Sequence, residues 1–159
     1  MAFTMPIDLI GLPTIYNVRF PVGPNMPNQR DDVMLVQTLM KLANFTRFTP
    51  ALGPVEASRD IAVDGIFGPQ TKRMITAFEA NRRSAGLLLI SDGVVESSSK
   101  DGFTGRGVLF KIIHLNRSAK NADEFRYADL PFNPETNAIL RGALQPGAVR
   151  PPRPRQPGT

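Results

Sequence analysis

The side chains able to do chemistry in this chain are few. His114 is its only histidine, and it has no cysteine. A hydrolytic zinc centre needs several imidazole and acidic ligands, so that class is excluded. A cysteine nucleophile and a disulfide framework fall with it. Five glutamates are present, Glu56, Glu79, Glu96, Glu124 and Glu135. None lies in a recognisable acid motif of the kind that glycoside hydrolysis uses. No glycine-rich phosphate loop is present. His114 sits between Ile113 and Leu115 in an apolar run and reads as a structural residue. The inventory predicts a protein that is not an enzyme and uses no metal or cofactor.

One stretch has spacing that calls for a physical reading, Val63-Asp64-Gly65-Ile66-Phe67-Gly68-Pro69-Gln70-Thr71. Asp-Gly makes a tight turn in which glycine supplies a positive φ. Phe67 is placed to enter the core, and Gly68 allows a sharp entry into a helix. Pro69 suits a first helical position, where its missing N–H would have no partner anyway. Thr71 can hydrogen-bond back to the turn and fix its angle.

That turn needs elements to hold it. The spacing of Val33, Val36, Leu39, Met40 and Ala43 predicts a helix over 31–44, capped by Asn28 or Asp31. A second helix is predicted over 69–83, with Thr71, Met74, Ile75 and Phe78 on one face and Gly86 closing it. The 44–60 connection carries Phe45 and Phe48 and is long for a compact domain. Upstream, the alternation of Tyr16, Val18 and Phe20 predicts one edge strand. Downstream, the β-branched runs 87–95 and 108–115 around a Ser/Gly/Asp loop predict an antiparallel hairpin. A last helix is predicted over 134–143, begun by Pro134 and capped by Asn133.

The turn and the two helices around it resemble the three-helix peptidoglycan-binding module often attached to bacterial cell-wall hydrolases. The family's pattern runs Asp-Gly-x-Phe-Gly-x-x-Thr, here Asp64 to Thr71, then two apolar residues, Met74 and Ile75, then Phe78. Its earlier helix runs Asp-Val-x-x-Leu-Gln-x-x-Leu. Here that helix reads Asp32-Val33-Met34-Leu35-Val36-Gln37-Thr38-Leu39-Met40, with Val36 and Met40 substituted. The resemblance spans 28–83. It departs at Glu79, where the family usually has Gln, and in the long 44–60 link. It implies a structural set of Asp32, Gln37, Phe67, Gly68, Thr71 and Phe78. It also implies a ligand groove beside the second helix, for which Asp64, Gly65, Gln70 and Arg73 are the candidates. Arg73 suits a stem-peptide carboxylate.

The remaining features concern partners. Nineteen Lys and Arg against 14 Asp and Glu leave a net charge of +5 over 159 residues. Three of those excess charges, Arg150, Arg153 and Arg155, lie in the proline-rich tail 146–159, which contains no acid. Elsewhere no basic stripe with interleaved aromatics appears, so nucleic acid is not an expected partner. No run nears the roughly 20 apolar residues of a spanning helix, and residues 1–12 do not read as a signal peptide. The expected fold is α+β: an N-terminal arm with one strand over 1–27, the helical module over 28–86, a hairpin-and-helix annex over 87–145, and the tail. The resemblance then implies a non-catalytic wall-binding subunit, made in the cytoplasm and carried in a larger particle. A phage tail or contractile injection apparatus fits that description, and the tail 146–159 would contact its other subunits. The alternative is an adaptor that keeps the fold without the ligand.

Overall fold

The structure is a computed structural model, and it describes residues 1–9, 11–47 and 56–153. It is mixed α+β, with five α-helices and short antiparallel strand pairs among the described residues. Strands β1 (Phe3–Pro6) and β2 (Thr14–Asn17) pair antiparallel, Phe3 opposite Asn17 and Pro6 opposite Thr14. Helix α1 (Arg30–Ala43) follows, then the two-residue strands β3 (Thr46–Arg47) and β4 (Glu56–Ala57), which pair with each other. Helices α2 (Pro69–Ser84), α3 (Lys111–Ala122), α4 (Glu124–Asp129) and α5 (Ala138–Leu144) complete the order. One continuous apolar cluster runs from Ala2 to Leu144, so the arm, the central helices and the C-terminal helices share a core.

Helix α1 is the centre of that core. Val33, Met34, Leu35, Val36, Leu39 and Met40 are all at most 1% exposed. A helix apolar on so much of its surface must be covered on several sides, and α3 packs along it more extensively than any other element pair. The expected caps do not cap it. Gln29 takes the N-cap position without a side-chain bond. Asn28 instead closes a loop on Gly23, donating to its carbonyl and accepting from its N–H. Asp31 accepts from the Ala2 N–H.

Three expectations are corrected. The N-terminal strand lies at 14–17 rather than 16–20, and it has a partner strand at 3–6. Ile15, Tyr16, Asn17 and Val18 are all buried, so both faces of this segment are covered, while Phe20 is 42% exposed. The hairpin of 87–95 with 108–115 does not form. Residues 111–122 are helix α3, and 87–95 is irregular apart from a single bridge between Val95 and Val22. Ile112, Ile113, Leu115, Asn116 and Ala119 form its buried stripe, a helical spacing that shows only when the window extends to Ala119. Finally, the last helix begins at Ala138 rather than 134. Asn137 caps it, accepting from the Ile139 N–H, whereas Asn133 closes a turn on Glu135.

Helix α2 follows the expectation closely. Pro69 is its first residue, and Gly86 at φ +82° ends it, with the Gly86 and Leu87 N–H groups donating to the Arg83 and Arg82 carbonyls. Phe45 meets Phe78 at 5.4 Å between ring centroids. Phe48 and residues 154–159 lie outside the described residues. In the tail that is described, Arg150 lies over the Phe132 ring at 5.8 Å.

Candidate functional site

The 64–71 turn is locked by one side chain from α1. Gln37 is 1% exposed and spends both ends of its amide on the turn. Its Oε1 accepts from the N–H groups of Asp64 (3.1 Å) and Gly65 (2.9 Å). Its Nε2 donates to Asp64 Oδ1 (2.9 Å), Thr71 Oγ1 (3.0 Å) and the Ile66 carbonyl (3.2 Å). Asp64 Oδ1 also accepts from the Ile66 N–H, and Thr71 donates to the Ile66 carbonyl. These hydrogen bonds to the Ile66 N–H and Gln37 hold the Asp64 carboxyl below its ordinary pKa. Gly65 has φ +73°, and a Cβ there would meet Arg30 Cγ at 2.5 Å, so glycine is required on two counts.

The other expected residues divide into those that hold the fold and those that face outward. Asp32 is fully buried and accepts from the Arg19 and Phe20 N–H groups, anchoring the segment after β2 to α1. Burial pushes its carboxyl pKa up, against the pull of those two bonds. Phe78 is 1% exposed, whereas Phe67 is only partly buried against the core. Gly68 is the α2 N-cap at φ −109°, with open space where a Cβ would stand, so the helix entry does not need glycine there. Gln70 accepts from the Ala62 N–H, and Arg73 is exposed on α2. Gly65 is buried and Asp64 is engaged by Gln37. Of the four candidate ligand residues, Asp64 and Arg73 are exposed, Gln70 is half-buried and Gly65 is buried.

Glu79, the departure from the family pattern, has a physical account. It is 4% exposed and pairs with the equally buried Lys111 of α3 at 3.0 Å. Lys111 Nζ also donates to Asp92 Oδ1 (2.9 Å) and the Val94 carbonyl (2.7 Å), and Glu79 accepts from the Gly93 N–H. A buried lysine demands a carboxylate, which an amide cannot replace. Burial pushes the Asp92 carboxyl up, but Lys111 and the Val94 N–H outweigh it and hold the pKa low. Composition could not reveal this knot, because its members lie on three separate segments.

His114 is on α3, not on a strand. It is buried with Nε2 unpartnered. Burial pushes its pKa down, the Leu88 backbone opposes that, and Arg117, Arg82 and Lys111 add to it. Among the described residues no group of three or more His, Asp or Glu is placed to hold a metal. No helix there is long and apolar enough to cross a membrane.

Sequence reasoning missed a groove of about 670 Å³. One part of its lining is α1 and the 59–63 segment, with Thr38, Lys41, Leu42 and Arg59. The rest is the α3–α4 junction and the 133–137 turn, with Asp123, Arg126, Asn133, Glu135 and Asn137. None of Asp64, Gly65, Gln70 and Arg73 lines it. It forms between segments far apart in sequence, so no local motif marks it.

Compared with family models, with curated proteins and with solved structures, the chain matches none of them.

Proposed function

We propose that the chain is a non-catalytic docking module of the peptidoglycan-binding kind, working as one component of a particle that meets a bacterial envelope. The observation that carries this reading is the Gln37 lock. The Gln of the first helix, the Asp-Gly turn and the Thr of the second helix stand at the motif's spacing and bond to one another as a unit. Co-sedimentation with purified sacculi near neutral pH and low salt tests it. Pelleting well above a matched control is expected, and none would overturn the wall-binding reading.

A second reading, an adaptor that keeps the fold without the ligand, is favoured by one observation. Asp64 Oδ1 and the N–H groups of Asp64 and Gly65 are all bonded within the lock. Removing residues 146–159 separates the readings. Lost particle assembly with intact sacculus pelleting would place the tail on partner subunits and the module on the wall.

A further inference from the structure

We propose that the apolar run Leu87-Leu88-Leu89-Ile90 is a dimer seam, pairing antiparallel with the same run of a second copy of this chain. The run leaves α2 at Gly86 and continues without turn or bend to Ser91. Leu88 is 77% exposed and Leu87 40%, with Leu89 and Ile90 half-buried. A stretch of consecutive apolar side chains open to water marks an interaction surface. The apolar surface extends beyond the run. Ile90 lines one recess with Leu109 and Phe110, and the exposed Phe103 bridges to Leu109. The backbone of the run is open too. Leu87 donates its N–H to the Arg82 carbonyl, and the Leu88 backbone bonds His114. No other backbone N–H or carbonyl of 87–90 has a hydrogen-bond partner among the described residues. A straight apolar segment with unpaired backbone groups is a template for strand addition.

The charges flanking the run identify the occupant. Arg83, before it, is exposed and reaches Ser91 Oγ at 3.4 Å, with no acid paired to it among the described residues. Glu96, after it, is exposed and likewise has no ion pair among them. A two-fold axis that lays the run antiparallel on itself sets the Arg83 end of one copy beside the Glu96 end of the other, and does so twice. Parallel pairing would bring like charges together instead. The face is therefore complementary to itself.

The test is sedimentation velocity of the full chain over a concentration series up to about 1 mM. A shift from one chain mass to twice that mass is expected as concentration rises. Leu88, Arg83 and Glu96 are exposed, so substitutions there leave the fold intact, which thermal melting checks. Leu88→Lys should abolish the dimer. Arg83→Glu and Glu96→Arg should each weaken it by about fivefold or more, and the two combined should restore it, since the swapped charges again complement each other. A parent that stays at one chain mass throughout would overturn the proposal, and the wall-binding reading would stand untouched. A dimer that survives Leu88→Lys would overturn it too, because the seam would lie elsewhere. Failure of the charge swap to restore a dimer that each single change weakens would overturn the antiparallel pairing.

Discussion

At its N-terminal end α2 is fastened to α1 through the neutral amide of Gln37, whereas further along it is fastened to α3 through the ions Glu79 and Lys111. Both fastenings are buried and both bridge segments distant in sequence. They differ in what each costs if half of it is removed. An orphaned backbone N–H loses one hydrogen bond and its desolvation. An orphaned buried charge loses far more, because a backbone hydrogen bond does not replace a lost counter-ion. The neutral lock sets the geometry of a turn. The ionic knot decides which helix may sit beside α2.

The sharpest way to break the comparison is at the ions. Lys111→Met strands Glu79 and should cost about 3–5 kcal/mol in urea unfolding. The double variant Glu79→Leu, Lys111→Met should recover most of that loss, since no buried charge remains unpaired. A double variant as unstable as the single one would mean the pair is worth more than its desolvation. Next in size is Gln37→Ala, which leaves the buried Gly65 N–H and its neighbours without partners and should cost about 2–3 kcal/mol. Gly65→Ala forces a left-handed residue against Arg30 and should cost more than about 1 kcal/mol, while Gly68→Ala should stay within about 0.5 kcal/mol. Equal effects at the two glycines would show that the turn can relax.

The smallest effect is on pH dependence. Asp64 and Asp92 have depressed pKa values, so their stabilisation is present above the ordinary carboxylate value of 3.8 and is lost as pH falls through the depressed one. His114, also depressed, works in the same direction from its ordinary 6.5 downward. Asp32 is raised and works oppositely, weakening the native state as pH climbs past 3.8. Asp64→Asn should therefore show a shallower fall in Tm than the parent between about pH 5 and pH 3.

The neutral lock was legible in the sequence because its turn is local. Asp-Gly, the proline at N1 and the threonine in the first turn each follow from backbone chemistry within a few residues, and Gln37 lies on a helix whose periodicity is plain. The ionic knot was not legible. Lys111 stands at the start of a run whose β-branched residues read as strand, and nothing local distinguishes a buried lysine from a solvated one. The same β-branched residues hid α3, because a helix buried on most sides shows little polar alternation. Phe67 was expected to enter the core, and it packs against the core while only partly buried, since a side chain at the mouth of a turn can pack on one side and still meet solvent. The groove was invisible for a third reason: its lining joins α1 to the 133–137 turn, and only tertiary packing brings these together.

The burial of Lys111 gives the molecule an internal clock. An amine tied to two carboxylates and a carbonyl, and closed off from water, cannot meet an acylating reagent while α2 and α3 stay together. Lys72, exposed on the same helix as Glu79, reacts at once. The lag between their modification in a single mass-spectrometric time course therefore measures how often that seam parts in the native protein, with no probe added and no residue changed.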